Sequence, residues 1–156
     1  MRIAAALKMG YYPTPPETLE QIAQLLRPAQ RGGSLRLLDP CAGEGEALSR
    51  VVRLCNENRL PLTVRGAGTN LSGGTIPSPE GVVVLTNALA EIIEINEEDM
   101  YAVVQPGVIT AKLAAAVEAR GLFYPPDPGS QAVSTLGGNV AENAGGLRGL
   151  KYGVTR

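Results

Sequence analysis

The sequence has no histidine and only two cysteines, Cys41 and Cys55, among its 156 residues. Two thiolates cannot supply the four ligands of a tetrahedral zinc site, and a chain without histidine cannot build a histidine-based catalytic triad. The missing residues therefore exclude several classes of hydrolase and metalloenzyme before any motif is considered.

Excess charge and long apolar runs are also missing. The chain has 14 basic and 15 acidic residues, for a formal net charge of -1, so there is no electrostatic case for binding nucleic acid or an anionic membrane. No apolar run approaches a membrane span, and the N-terminal "MRIAAALKMG" is too short for a signal-peptide core. We expect a cytoplasmic protein with neither a nucleic-acid nor a membrane partner.

The chain is 44% apolar, enough to bury the core of one ordinary domain. In its first half, "TPPETLEQIAQLLRP" predicts a helix that begins at Thr14, where a capping box starts, and ends at Pro28. A strand, "LRLLDP", ends at Asp39, a helix follows from about Glu46 to Asn58, and "LPLTVRG" is a second strand. This is a βαβ unit, whose strands should be parallel. The expected apolar stripe of the second helix is Ala47, Leu48, Val51, Val52 and Cys55.

The second half combines short strands, one further clear helix and long glycine loops. "GVVVLTN" is a strand, and "EIIEIN" and "YAVVQPG" predict a hairpin joined by the acidic turn "EEDM". "TAKLAAAVEARG" predicts a helix capped by Gly121, with Leu113, Ala116, Val117 and Arg120 in phase. "TLGGNVAENAGG" can begin a short helix. The predicted fold class is α/β (α+β), a βαβ unit plus a mixed sheet.

A first glycine loop, "DPCAGEGEAL", follows the first strand and can aim amide N–H groups at a ligand. Together with "GYYPTPPETLEQIAQLL", it makes residues 10–48 resemble the N-terminal part of an S-adenosylmethionine-dependent adenine-type methyltransferase. That resemblance implies S-adenosylmethionine contacts from Asp39, Ala42, Gly43 and Gly45. The resemblance to a methyltransferase does not continue into the second strand. This strand ends at Arg65, which is a hydrogen-bond donor, whereas the ribose hydroxyls need an acceptor there. No Asn-Pro-Pro-aromatic sequence follows.

Two more loops have the composition of anion-binding nests. "RGAGTNLSGG", from Arg65 to Gly74, comes directly after a strand, and "PPDPGSQAVSTLGGNVAENAGG" runs from Pro125 to Gly146. Glycines in such loops permit a close approach of the backbone to a ligand, and the N–H groups suit a diphosphate. A turn without a ligand is the alternative for either loop alone, whereas two such loops converging on one ligand are more specific.

From Val51 to Arg156 the blocks "VVRLCNENRLPLTVRGAGTNLSGG", "VVQPGV", "GLFYPPDPGS", "STLGGNVAENAGG" and "LKYGVTR" resemble the PCMH-type FAD-binding domain of the glycolate oxidase and D-lactate dehydrogenase group, in the vanillyl-alcohol oxidase flavoprotein superfamily. The resemblance implies FAD, held without a covalent link because the chain has no histidine and neither cysteine lies in these loops. The implied FAD contacts are Arg65, Gly66, Ala67, Gly68, Thr69, Asn70, Ser72, Gly73, Gly74, Pro126, Asp127, Ser130, Ser134, Thr135, Gly137, Gly138, Asn139, Asn143 and Gly146.

The two resemblances predict a chimera with a junction near Arg50, in which residues 1–50 and 51–156 pack as one compact domain. The family's later flavin-domain strands and substrate-capping domain are not in this sequence. We therefore expect a truncated FAD-binding module of a 2-hydroxy-acid oxidoreductase, with weak flavin affinity or none and no turnover of its own. The alternatives are a fragment that binds S-adenosylmethionine and a chimeric folding unit without catalytic function. Exposed strand edges favour a homo-oligomer.

Overall fold

The computed structural model of the protein describes residues 35–37 and 46–155, together with Glu17, Glu20 and Gln21. The last three are helical; the rest of the helix predicted from Thr14 to Pro28 lies outside the described residues. No helix within the described ranges is long and apolar enough to cross a membrane.

The predicted βαβ unit is present, and its strands belong to a three-stranded sheet. The elements are β1 (Leu35–Leu37), α1 (Glu46–Glu57), β2 (Leu62–Arg65) and β3 (Val82–Leu85). The order in the sheet is β1-β3-β2, and β1 pairs with β3 in parallel. Val82 N donates to Pro61 O at 2.8 Å and Thr86 N donates to Arg65 O at 3.0 Å. These bonds advance in the same direction along both strands, so β2 is parallel to β3 as well. The sequence did not predict that β3 lies between β1 and β2.

Helix α1 buries one face. Val51 is 4% exposed and Cys55 is 2% exposed, and both pack with Val82. The predicted stripe is wrong at Val52, which is 42% exposed. One residue turns an α-helix by about 100°, so the neighbour of Val51 points away from the face that Val51 and Cys55 share.

The predicted hairpin is confirmed. Strands β4 (Ile92–Asn96) and β5 (Tyr101–Val104) are antiparallel, with Asn96 opposite Tyr101 and an irregularity between Ile92 and Glu94. In the turn, Asp99 N donates to the side-chain oxygen of Asn96 at 2.7 Å. One face of the hairpin packs on a core and the other leaves Ile93, Tyr101 and Val103 exposed.

Three helices follow: α2 (Thr110–Glu118), α3 (Leu136–Ala141) and α4 (Gly149–Tyr152). The first two match predicted helices, whereas α4 was not predicted. After α2, Gly121 has a φ of +73°, Gly121 N donates to Glu118 O and Leu122 N donates to Val117 O, each at 3.0 Å. This pair of bonds is the Schellman motif, so the predicted glycine cap is confirmed.

The described residues form two compact units. The first contains the described residues up to Thr63 and residues 77–84, and the second contains residues 64–76 and 85–155. Each has its own apolar core; that of the second is built on Val108, Leu113, Val117 and Leu136. The predicted α/β class is confirmed, with parallel strands in one sheet and the antiparallel hairpin in another. The division of the chain at residue 50 stays a prediction.

Candidate functional site

Both glycine loops that follow Arg65 and Pro125 belong to the second unit. We call residues 66–75 the phosphate loop. Its backbone needs glycine at two points, because Gly68 has a φ of +71° and Gly73 a φ of +82°, a region that other residues rarely adopt. A Cβ on Gly68 would also lie 2.5 Å from a terminal guanidinium nitrogen of Arg65. The Arg65 side chain therefore folds over the start of the loop.

The side-chain amide of Asn70 braces the phosphate loop from within. Its orientation is assigned from the hydrogen-bond network: Oδ1 accepts from Gly73 N at 3.1 Å and from Gly74 N at 3.0 Å, and Nδ2 donates to Thr75 Oγ1 at 2.7 Å. Asn70 thus fixes the shape of the loop. Thr69 and Ser72 are exposed, so their hydroxyl groups are accessible from solvent.

Thr135, at the start of α3, brings the second glycine loop against the first. A Cβ on Gly66 would collide with Thr135 Oγ1, and a Cβ on Gly138 would lie 3.3 Å from the same atom. Thr135 is 1% exposed, yet its hydroxyl makes no hydrogen bond to any residue that the structure describes. A buried hydroxyl without a partner costs about 1–3 kcal/mol, and buried polar groups usually have a partner. A polar ligand atom between these loops would supply it.

Two of the predicted contact residues are buried in a polar network centred on Thr110, which is fully buried. Thr110 Oγ1 donates to Ser134 O at 3.1 Å and accepts from Asn139 Nδ2 at 2.8 Å. Thr110 Oγ1 and Ser134 Oγ lie 2.8 Å apart, and either hydroxyl can donate in that bond. Ser134 and Asn139 therefore hold the turn that presents Thr135.

Tyr124 adds a titratable group to the second unit. Burial raises the pKa of Tyr124 from its ordinary value of 10.0, and the polar side chains of Thr155 and Asn139 partly oppose the shift.

The "PPDPGS" turn is fastened through Asp127. Arg148 N donates to Asp127 Oδ1 at 2.9 Å, and Arg148 Nε lies 3.5 Å from Oδ2. Asp127 N donates to Gly145 O at 2.9 Å. Gly146 has a φ of +79°, and a Cβ there would collide with Asp127 O. The sequence predicted Asp127 and Gly146 but missed Arg148, which holds the carboxylate in place.

The remaining predicted residues shape the same segment. Gly137 lies against Pro106, with a Cβ position 2.7 Å from the proline Cβ. Ser130 O accepts from Ser134 N at 2.7 Å, and Asn143 has a positive φ of 51°. Ala67 and Pro126 are half-buried. Asp39, Ala42, Gly43 and Gly45, predicted for S-adenosylmethionine, lie outside the described residues.

The sequence missed two further residues. Thr110 is the centre of the buried network, and only its position at a predicted helix start marked it. Glu142 accepts a 2.8 Å hydrogen bond from Ser72 Oγ; it lies inside the loop from Pro125 to Gly146 but was not among the predicted contacts. Among the described residues, no group of histidine, cysteine, aspartate or glutamate side chains is arranged to hold a metal ion.

The donor set fits the diphosphate of a dinucleotide: two left-handed glycines, exposed Thr69 and Ser72 hydroxyls, the Arg65 cation and the orphaned Thr135 hydroxyl. Backbone N–H groups and hydroxyls around glycine turns are the groups that bind phosphate in such loops. The geometry therefore agrees with the cofactor implied by the sequence.

Two known proteins are similar to this chain in sequence. The chain is 57% identical over 111 residues to glycolate oxidase subunit GlcD of Bacillus subtilis, covering 71% of this chain and 24% of that protein. It is 45% identical to a D-lactate dehydrogenase of Anaerostipes hadrus, over 71% of this chain and 23% of that protein. The chain thus spans about a quarter of the length of these curated relatives.

A solved structure extends the likeness in fold. 6-Hydroxy-D-nicotine oxidase from Arthrobacter nicotinovorans superposes with a TM-score of 0.65 and 22% identity, over 92% of this chain and 30% of that chain. The fold is the first part of a PCMH-type FAD-binding domain.

The model of the FAD binding domain family matches residues 41–156. This match includes all of α1, across which the sequence predicted a junction between two parents. A methyltransferase origin of residues 1–50 gains no support from it. The chain belongs to the FAD binding domain family, and FAD is its cofactor.

Proposed function

We propose that this chain is the FAD-binding part of a 2-hydroxy-acid oxidoreductase of the glycolate oxidase or D-lactate dehydrogenase type. The observation that carries the proposal is the orphaned, buried Thr135 hydroxyl between Gly66 and Gly138, beside a phosphate loop whose amides and hydroxyls suit a diphosphate. The similarity to GlcD and to a D-lactate dehydrogenase supports the substrate class.

The chain's own residues divide into ligands and supports. Thr135 Oγ1, the hydroxyls of Thr69 and Ser72 and the Arg65 cation would hold the diphosphate. Asn70 keeps the loop in its shape. When bound, FAD would supply a flavin ring able to accept a hydride. No described residue is assigned to substrate binding or proton removal, so turnover is not expected of this chain by itself. With no histidine in the chain and Cys55 buried in the first unit, we propose a non-covalent cofactor.

Thr135→Val tests this proposal because it removes the hydroxyl without adding bulk. Since Thr135 Oγ1 bonds to no described residue, the variant should gain stability, by up to about 1–3 kcal/mol. Its FAD affinity should fall about fivefold, the loss of one hydrogen bond of about 1 kcal/mol. The measurement is a titration of flavin fluorescence, with Gly149→Ala as control because a Cβ at Gly149 meets nothing within 4 Å. Absence of saturable FAD binding by the unmodified chain would contradict the proposal. Equal affinity in Thr135→Val would remove Thr135 from the site.

We also propose that residues 1–50 keep a methyltransferase-like sequence without binding S-adenosylmethionine, because Arg65 stands where a carboxylate is needed. Equilibrium dialysis with labelled S-adenosylmethionine should show no saturable uptake, and tight binding would contradict this.

Partners and location are proposals as well. The net charge of -1 supports a cytoplasmic chain that binds neither nucleic acid nor membrane. Among the described residues the sheet of β4 and β5 has only these two strands, so each has an outer edge without a strand partner, which supports a homo-oligomer formed through its strand edges. Light scattering after gel filtration should give a mass above that of one chain, 16.3 kDa; a monomer at every concentration would contradict the oligomer.

A further inference from the structure

Glu142, the residue after α3, reaches across to the phosphate loop. Ser72 Oγ donates to Glu142 Oε1 at 2.8 Å, a bond between residues 70 positions apart in the chain. A Cβ on Gly74 would lie 3.3 Å from the same oxygen. A negatively charged oxygen therefore already stands beside the hydroxyl and amide groups at this end of the loop.

This carboxylate and a phosphate bound at Ser72 would compete for the same hydrogen-bond donor. Ser72 has one hydroxyl proton, and a carboxylate and a phosphate are both acceptors for it. Two like charges near the loop repel each other as well. Among the described residues, Arg120 pairs with Glu97 and Arg148 with Asp127, and none forms an ion pair with Glu142. The charge of Glu142 is thus not neutralised by a neighbour within the described part of the chain.

We propose that Glu142 is a built-in competitor of the cofactor's diphosphate, which holds Ser72 in the cofactor-free protein and must release it when FAD binds. This inference rests on the proposed function, since it requires the diphosphate to enter the loop at Ser72. The contact lowers the affinity of the site: it orders the loop at Ser72 and makes FAD binding weaker than the donor set alone would allow.

Glu142→Gln removes the charge but keeps an oxygen that can accept from Ser72. FAD affinity should rise about fivefold, the scale of one unit-charge repulsion at about 4 Å in water. Because the effect is electrostatic, the difference between variant and unmodified chain should shrink as salt is added. Glu118→Gln is the matched control, since it removes one exposed carboxylate from α2 and should leave FAD affinity unchanged.

A second readout needs no cofactor. Glu142→Ala removes both the charge and the hydrogen bond, so amide hydrogen exchange at Gly73 and Gly74 in the FAD-free chain should accelerate several-fold relative to the unmodified chain. If Glu142 had only a supporting role, the loosened loop of this variant would bind FAD more weakly. Competition predicts FAD binding at least as tight as that of the unmodified chain.

The outcomes separate the two proposals. If the unmodified chain binds FAD but Glu142→Gln binds it equally or more weakly, or if Glu118→Gln gains as much, the competition by Glu142 is refuted and the FAD site stands. If no variant binds FAD, the proposed function fails and the inference fails with it. A salt-sensitive gain confined to Glu142→Gln supports both.

Discussion

At the scale of single residues, the two most deeply buried threonines of the second unit, Thr110 at 0% and Thr135 at 1% exposure, have opposite surroundings. The hydroxyl of Thr110 is fully used in hydrogen bonds to Ser134 and Asn139, whereas that of Thr135 has no partner among the described residues. The sequence predicted Thr135, Ser134 and Asn139 from one glycine-rich loop. The sequence did not distinguish Thr135, whose hydroxyl is unpartnered among the described residues, from Ser134 and Asn139, which support it. This distinction depends on contacts with Thr110, which lies far away in the chain.

The two threonines predict different effects on stability. Thr110→Val removes the hydroxyl to which the buried side chains of Ser134 and Asn139 are both hydrogen-bonded, so the free energy of unfolding should fall by about 1–3 kcal/mol. Thr135→Val should instead raise it, by up to about 1–3 kcal/mol, because it removes a buried hydroxyl that has no partner among the described residues. Urea denaturation of both variants measures this, and similar losses in the two would show that the network around Thr110 is not what holds the turn.

Tyr124 predicts how stability depends on alkaline pH. Its pKa in the folded chain is raised above its ordinary value of 10.0, so the unfolded chain loses this proton first. The stabilising contribution is present below pH 10.0 and is lost as pH rises through the raised pKa. In Tyr124→Phe the free energy of unfolding should therefore fall less steeply with pH above this value. The pH dependence of the unfolding free energy that remains in this variant comes in part from Cys55 and Tyr101, whose pKa values are also raised. An unchanged slope would contradict the assignment.

At the scale of elements, local sequence signals predicted most of the described strands and helices, because period and capping are properties of neighbouring residues. The hairpin of β4 and β5 and the glycine end of α2 are examples. The strand order was different: β3 lies between β1 and β2, and nothing local in "GVVVLTN" says which strands it pairs with. Helix α4 has only four residues, too few for a periodic pattern to show.

The C-terminal cap of α2 gives a test at this scale. Gly121 has a φ of +73°, and a Cβ there meets nothing within 4 Å. Gly121→Ala should therefore cost only backbone strain, about 1–2 kcal/mol of unfolding free energy. Gly149→Ala is the control, because its Cβ position is equally open and no positive φ applies; it should be neutral or slightly stabilising. Equal effects of the two variants on the thermal midpoint would contradict the role of the cap.

At the scale of the whole molecule, the sequence resemblance from Val51 onward identified the cofactor, and the family match from residue 41 to 156 agrees with it. The loops that were predicted to converge do meet, at Gly66 with Thr135 and at Ser72 with Glu142. The second contact could not be predicted, since a carboxylate beside a phosphate loop is unfavourable for the ligand and becomes visible only when the chain is folded.

If FAD binds only the folded chain, it should also stabilise the molecule. At a free concentration of about 100 times the dissociation constant the gain is about 2.7 kcal/mol, and the midpoint of thermal unfolding should rise with FAD concentration. S-adenosylmethionine should leave the midpoint unchanged. A midpoint that does not respond to FAD would contradict specific binding to the folded state.

The most direct test of the central claim compares FAD with riboflavin, which has the same flavin ring but no phosphates. In parallel fluorescence titrations of the purified chain, FAD should show saturable one-site binding, while riboflavin should show none over the same concentrations, because the phosphate loop and Thr135 act on the diphosphate. Equal binding of the two, or no saturable binding of FAD, would contradict the account.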